Sequence, residues 1–439
     1  MKVVILGGGT AGFIAAAHFT RYLPDAELLH IFDPSIPTIG VGEGTTPRFP
    51  GWFEEVTGLG FSVLAERCGA TMKKGSRYEN WGRYGQPFTH RFQPIHLFAY
   101  HFDAGPLVDI LGEHVRATRI AGRVEAMHTT EVRVDLRLAD GSAITCDYVF
   151  DARGFPRATN ADGKPMDDIL RLDWIPTNRV MIRRLAPGAP SEFSRAVARP
   201  HGWIFQVPLR DWTSCGYIFN AQLSTDEAVE EDFTSFLHGE GVTTWEPRVK
   251  LDFPNFVRRR SFDGRVFRGG NAASFIEPLE ATAIGTAILQ SRAAASWMLE
   301  HVRDAELDVG EIDEFNDAML TYICKDSLFV AWHYAGGSQW DTPFWRYAAK
   351  AIDRARASDV AREYVEEMQE YIEAARTLPG GAIASYEDQD AWDRDVYPLL
   401  RLFLPFGNFS ELNFAQVGHG IGYYDSRHDV AAQPTSMNS

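Results

Sequence analysis

Apolar residues follow two periods along this chain. Near its start, Lys2 to Leu6 (KVVIL) is an almost unbroken apolar run, closed by glycines and followed by an alanine-rich stretch to Leu23. A short apolar run bounded by glycine reads as a buried strand, and the small-residue stretch as a helix packed on it. A second run, ELLHIFD, ends at Asp33. The segment EVRVDLRLADGSAITCDYVFDARGF reads as a strand, a turn at Asp140-Gly141, and a second strand region ending at Asp151. GRVFRGGNAASFIEPLEATAIGTAILQSRAAASWML repeats the order strand, glycine turn, long helix. Strand-like runs such as GWIFQVP and CGYIFN fill the region between. From about Glu300 the period becomes helical, in EIDEFNDAMLTYICKDSLFVAWHY and VAREYVEEMQEYIEAARTL.

The first turn carries specific chemistry. Gly7, Gly9 and Gly12 fit GxGxxG between a strand and a helix. Gly7 allows the tight turn, Gly9 lets backbone approach a pyrophosphate, and Gly12 lets helix and strand pack closely. Thr10 and Ala11 open the helix, whose free N–H groups and dipole favour an anion. Asp33, at the end of the second strand, is placed to accept from a ribose hydroxyl. A glycine turn without a ligand is the weaker alternative. GHGIG at Gly418 to Gly422 has the wrong spacing for a second site. One dinucleotide site in such a discontinuous arrangement resembles the FAD-dependent monooxygenases of the hydroxylase type, so the ligand expected is FAD, with reducing power arriving from outside.

Bulk properties narrow the partners. A chain of 439 residues is too long for one small core. A net charge of −16 argues against nucleic acid or an anionic membrane surface. No apolar run spans a bilayer. Cys68, Cys146, Cys215 and Cys324 have no metal spacing and read as reduced thiols of a cytoplasmic protein. No metal site is expected. A homodimer is compatible with the sequence.

Five ordered segments then carry a family likeness. GVGEGTTP (Gly40 to Pro47), MKKGSRYENW (Met72 to Trp81), AYHFDA (Ala99 to Ala104), GGNAASFIEPLEATAIG (Gly269 to Gly285) and WHYAGGSQWDTPFW (Trp332 to Trp345) resemble the flavin-dependent halogenases, tryptophan-halogenase type. The likeness runs from Met1 to about Trp345 and fades beyond. It implies an α/β fold: a FAD-binding Rossmann-like domain of the flavin monooxygenase type, an antiparallel substrate sheet and C-terminal helices. The FAD domain is expected from residues 1–110, 122–167 and 263–299, the sheet from 170–261, the helical substrate subdomain from 300–425, and a disordered tail from 426–439. Flavin contacts are expected from the first turn with Asp33, from Gly40, Val41, Gly42 and Glu43, and from Gly270, Asn271 and Ile284. A separate NAD(P)H-dependent flavin reductase would supply FADH2, with chloride or bromide as co-substrate.

Lys73 and Lys74 stand side by side. Successive side chains on a strand point to opposite faces, so only one of them can enter a cavity. Taken alone, the pair reads as surface lysines on an edge strand. The resemblance makes Lys73 the catalytic lysine of a tunnel between flavin and substrate, where it holds hypohalous acid or forms a haloamine, and leaves Lys74 in water. In IEPLEATAIG, Pro278 interrupts a helix ladder before a helix beginning near Thr282. Glu280 there suits either capping a helix dipole or serving as a base for a cationic intermediate; the resemblance selects catalysis. Backbone amides around Thr282 and Ala283 would hold halide.

Two departures keep a flavin-dependent aromatic hydroxylase as the alternative reading. The family's W-x-W-x-I-P appears as Trp203, Phe205, Val207 and Pro208 in GWIFQVP. The C-terminal stretch NFSELNFAQVGHGIGYYD does not map onto the family's amino-acid-binding segment. An indole or another electron-rich arene is the expected substrate, against a lining of His101, Phe102, Trp332, His333, Phe344 and Trp345.

Overall fold

A computed structural model describes residues 1–36, 40–93, 96–156, 168–301, 307–376, 378 and 406–424. The expected disordered tail lies outside these residues. Strand Lys2–Leu6 is buried along its length and sits at the centre of a five-stranded parallel sheet. Its neighbours are Tyr148–Asp151 on one side and Glu27–Phe32 on the other. Val266–Arg268 and Thr118–Ala121 complete the edges. The edge strand Thr118–Ala121 falls in the stretch that the sequence reading had left unassigned. Helices Thr10–Tyr22 and Ala283–Glu300 lie against this sheet, their small residues allowing close approach.

A second, seven-stranded sheet runs in the order Glu246–Asp252, Arg179–Leu185, Thr213–Phe219, Gly202–Pro208, Phe193–Arg199, Gly75–Glu79, Phe88–Arg91. Five of the six neighbouring pairs are antiparallel, and Gly75–Glu79 joins Phe193–Arg199 in parallel. The last two strands had been expected in the flavin domain; they belong to this sheet because Tyr78 and Trp81 bury themselves in its aromatic core. The short strand Thr71–Lys73 instead pairs with Ala99–Phe102, which also carries Glu43–Gly44. The chain therefore changes sheets between Lys73 and Gly75. There, Gly75 takes φ +151, and an added Cβ would lie 2.2 Å from the His90 carbonyl oxygen.

The helices Val309–His333, Pro343–Ala348, Ala351–Arg356, Arg362–Arg376 and Glu411–Gly420 share one large core with the second sheet. Leu328, Trp332, Val365, Met368, Phe414 and Val417 meet there. Among the described residues, no helix is long and apolar enough to cross a membrane. The four cysteines are free and buried.

Candidate active site

The glycine turn has the geometry of a nucleotide cradle. A Cβ on Gly7, at φ +116, would lie 2.5 Å from the Ala152 carbonyl oxygen, and one on Gly12 would lie 2.0 Å from the Gly7 carbonyl oxygen. A Cβ on Gly9 would meet nothing within 4 Å. The turn is thus closed against the sheet and open only at Gly9, at the carboxyl ends of the parallel strands, where dinucleotides bind in such folds. Those residues fit a pyrophosphate. His30 Nε2 hydrogen-bonds the Gly7 carbonyl (2.8 Å), and burial pushes its pKa down to about 4, so the neutral ring donates and braces the turn from below.

The other expected flavin residues divide. Gly270, at φ +54, presses on Ala11, since an added Cβ would lie 2.4 Å from the Ala11 methyl; its N–H donates to Gln290 (2.7 Å). This brings the third flavin segment onto the first turn. Asn271 stands exposed beside it. Asp33 is half-buried, and its carboxylate accepts from the Ser35 hydroxyl and N–H, which hold its pKa low. Gly40 and Gly42 are pressed by Asp103 and Ser214, and Val41 accepts from the Ser214 hydroxyl. Glu43 spends both oxygens inside its own neighbourhood, on the N–H groups of Val41 (3.1 Å) and Ala104 (3.0 Å). Its carboxylate braces the loop. Ile284 faces an apolar cluster with Phe49 and Trp52.

Lys73 is 1% exposed, while the Lys74 side chain is 43% exposed and pairs with Glu192 at 3.0 Å. The Lys73 ammonium donates to the Thr45 carbonyl (3.1 Å) and lies 5.4 Å over the Phe92 ring. Burial lowers its pKa to about 8, against the opposing attraction of Glu280. A side chain at Gly44 would intrude here: its Cβ would stand 3.1 Å from Lys73 Nζ, 3.4 Å from the Ala281 methyl and 3.5 Å from Ser194 Oγ. Gly44→Ala is therefore expected to slow turnover at least several-fold without changing flavin affinity, measured by single-turnover product formation beside a flavin titration.

Glu280 ends the short turn Pro278–Glu280 and is buried. One oxygen, Oε1, receives three partners: Tyr78 OH at 2.5 Å, His90 Nδ1 at 2.9 Å and His333 Nε2 at 2.8 Å. His333 lies off the line of a well-formed hydrogen bond, so its contact is chiefly one of charge. Burial alone would raise the Glu280 pKa; His90 and His333 outweigh it and hold the carboxyl well below the usual range. The next residue, Ala281, has a left-handed φ of 54°, uncommon without glycine. That twist turns the chain into the helix Ala283–Glu300, whose first N–H groups, at Ala283 and beyond, lack intrahelical partners. Three residues earlier, Glu277 is also buried, accepting from Thr177 and from Tyr334 OH (2.6 Å); burial pushes its pKa up to about 7.

The expected substrate lining is only partly assembled around these groups. His101 is fully engaged elsewhere: the Thr71 hydroxyl donates to the Pro208 carbonyl (2.6 Å), so His101 Nδ1–H donates to Thr71 (3.1 Å) and Nε2 accepts from Ser194 (2.9 Å). Phe102 packs against Phe49 in the flavin-side core, with ring centroids 4.9 Å apart. The histidine that meets Glu280 is His90, outside the expected lining, and the ring under the Lys73 ammonium is that of Phe92. Trp332 packs on Phe414 (5.1 Å) and Tyr423 (5.5 Å) with its indole N–H unpaired among the described residues. Phe344 and Trp345 pack on Tyr334, and Trp345 donates to the Arg199 carbonyl (2.7 Å). Both are core aromatics stacked behind Trp81. Trp203 is buried on Trp81 (6.1 Å), and Phe205 lies across Gly216, where any Cβ would come within 2.3 Å of its ring. Val207 and Pro208 finish the same strand.

Fold and site together define a flavin-type α/β oxidoreductase with a nucleotide cradle, a buried lysine and a buried carboxylate. A family model described as tryptophan halogenase matches residues 2–97 and 93–398. The chain belongs to the tryptophan halogenase family and is an enzyme of the flavin-dependent halogenase class. It is similar to tryptophan 7-halogenase RebH of Lentzea aerocolonigenes, 24% identical over 96% of this chain and 88% of the relative. Its fold is similar to that of Xcc4156, a flavin-dependent halogenase from Xanthomonas campestris: TM-score 0.72, 22% identity, 99% of this chain and 96% of the other covered. The tryptophan 6-halogenase SttH of Streptomyces toxytricini superposes with TM-score 0.74 at 20% identity, covering 96% and 90%.

Proposed function

We propose that this enzyme halogenates an electron-rich, indole-like aromatic substrate, using FADH2, O2 and chloride or bromide, with Lys73 and Glu280 as its catalytic residues. One observation carries the reading: a lysine ammonium is buried beside Gly44 and Ala281, within electrostatic reach of a buried carboxylate. A cation is kept out of water at a cost only where it has a task. The flavin would be held by Gly7, Gly9, Gly12, Thr10 and Ala11, with the turns at Gly40–Gly42 and Gly270–Asn271 closing on it. When bound and reduced, it would activate O2, the oxidant that converts halide to hypohalous acid: FADH2, O2, halide and a proton yield FAD, hypohalous acid and water. Amides at the start of the helix, from Thr282 and Ala283, suit the halide.

The Lys73 ammonium would then hold hypohalous acid by a hydrogen bond and present its halogen to the arene. At a pKa of about 8 the amine remains largely protonated at neutral pH. Glu280, kept anionic by its imidazole partners, would stabilise the positive charge of the ring and take its proton through the oxygen not occupied by Tyr78, His90 and His333. Phe92, whose ring lies under the Lys73 ammonium, replaces Phe102 as the proposed substrate-bordering aromatic, and His90 acts through Glu280. A diffusing flavin reductase and a cytoplasmic setting complete the proposal.

The test supplies FAD, a flavin reductase with NADH, O2 and bromide, with a panel of indoles and phenols, and reads products by mass spectrometry. A bromine isotope doublet, absent for Lys73→Ala and retained for Lys74→Ala, is the expected result. A product heavier by one oxygen and independent of halide would replace the reading with a hydroxylase.

A further inference from the structure

The last helix, Glu411–Gly420, reaches into the site through one side chain. Ser410 and Asn413 form a capping box: Asn413 Oδ1 accepts from the Ser410 N–H (2.8 Å) and hydroxyl (2.9 Å). That fixes which end of the Asn413 amide is which. Its Nδ2 must then face His90, and it does, 2.8 Å from His90 Nε2. An amide NH2 only donates, so His90 Nε2 can only accept. The ring hydrogen is forced onto Nδ1, which donates to Glu280 Oε1 at 2.9 Å. His333 is set differently. Its Nδ1 donates to the Phe329 carbonyl (2.9 Å), and its Nε2 approaches Glu280 Oε1 at 2.8 Å. Two lone pairs cannot face each other at that distance, so Nε2 carries a proton, off the line of a hydrogen bond, and this is the ion-paired imidazole.

We infer that Asn413 is a positioning residue that fixes the tautomer of His90, so that one neutral and one charged imidazole flank the catalytic carboxylate. With both rings charged, Glu280 would be a weaker base; with His90 in the other tautomer, a lone pair would oppose Oε1. The arrangement also weighs against a metal at His90, Glu280 and His333, although their ligand atoms lie within 4.8 Å of one another. A metal on His90 Nδ1 would require a hydrogen on Nε2, against the Asn413 NH2. The groups facing this pair are Tyr78 from the second sheet, His333 and Asp326 from the helix Val309–His333, and Lys73 from the flavin side.

The inference deepens the halogenase reading, and its first readout does not depend on activity. Asn413→Asp keeps the cap, because a carboxylate oxygen still accepts from Ser410, but turns the donor toward His90 into an acceptor. Long-range 1H–15N spectra of protein labelled at the histidine ring nitrogens, with His90 assigned by its own substitution, are expected to show the Nδ1–H tautomer in the parent. In Asn413→Asp both nitrogens of His90 should carry hydrogen. Halogenation by Asn413→Asp should fall about tenfold at neutral pH, a part of the roughly 10²–10⁴-fold a general base contributes, and recover as pH rises. Flavin affinity should be unchanged. An Nε2–H tautomer or a doubly protonated His90 in the parent would overturn the inference. So would an Asn413→Asp protein with the parent's spectrum and pH profile while Asn413→Ala alone is impaired, since that pattern belongs to a cap only. A parent with the Nδ1–H tautomer but no halogenated product would sink the halogenase reading and leave the tautomer assignment standing.

Discussion

Lys73→Met is expected to melt at a higher temperature than the parent at pH 7 and to form no halogenated product. The side chain is buried, and its pKa is lowered from 10.5 to about 8, chiefly by burial. At roughly 1.4 kcal/mol per unit, holding the ammonium there costs on the order of 3 kcal/mol at neutral pH. Methionine fills similar volume without charge, and loses one hydrogen bond to the Thr45 carbonyl. The sign with pH follows from the direction of the shift. Between about 8 and 10.5 the unfolded chain binds more protons than the folded one, so the parent gains stability as pH rises through that window. The gap in melting temperature between variant and parent should narrow from pH 7 to pH 10. A variant less stable than the parent at pH 7 would mean that Lys73 is a structural cation, and the tunnel assignment would fall.

Glu280→Ala should also abolish product but move stability the other way. It strips the counter-charge from His333 and an acceptor from Tyr78 and His90, all buried. Removing one partner of a buried pair typically costs about 3–5 kcal/mol. The Glu280 pKa is depressed in the folded state, so its contribution is present above the ordinary value of 4.5 and is lost as pH falls below it. Denaturant midpoints of variant and parent should therefore differ most near neutrality and converge on acidification. If both variants lose product while shifting stability in opposite directions, the two residues are set apart from general folding damage, which lowers stability in each case.

Some of this was written in local pattern. The glycine turn could be read because strand, glycines and helix are contiguous, and each glycine answers to a steric demand within that unit. Strand alternation allowed only one of Lys73 and Lys74 to enter a cavity, and the family likeness selected Lys73. Pro278 and the helix after Thr282 were likewise local. The surroundings of Glu280 were not. Tyr78 reaches it across 202 residues, His90 across 190, and Asn413 reaches His90 across 323.

His101 lies in a motif that carries the family likeness and His90 does not, so sequence pointed to His101 for a reason that leaves packing unweighed. Both lie on strands next to aromatic residues, and only the pairing of Thr71 with His101 and Pro208 shows that both His101 nitrogens are already spent. Glu43 looked like a ligand contact because its glycine-rich loop did, yet its oxygens are consumed by Val41 and Ala104. The change of sheets after Lys73 was invisible for the same reason: the burial of Tyr78 and Trp81 against distant strands decides it. Sequence by itself determined the nucleotide unit, because short-range sterics and periodicity govern it, and its ordered motifs carried the likeness that gave the class of chemistry and the choice of Lys73. Tertiary structure decided which histidines touch the carboxylate and which proton each carries, because hydrogen-bond direction depends on partners that only long-range packing brings together.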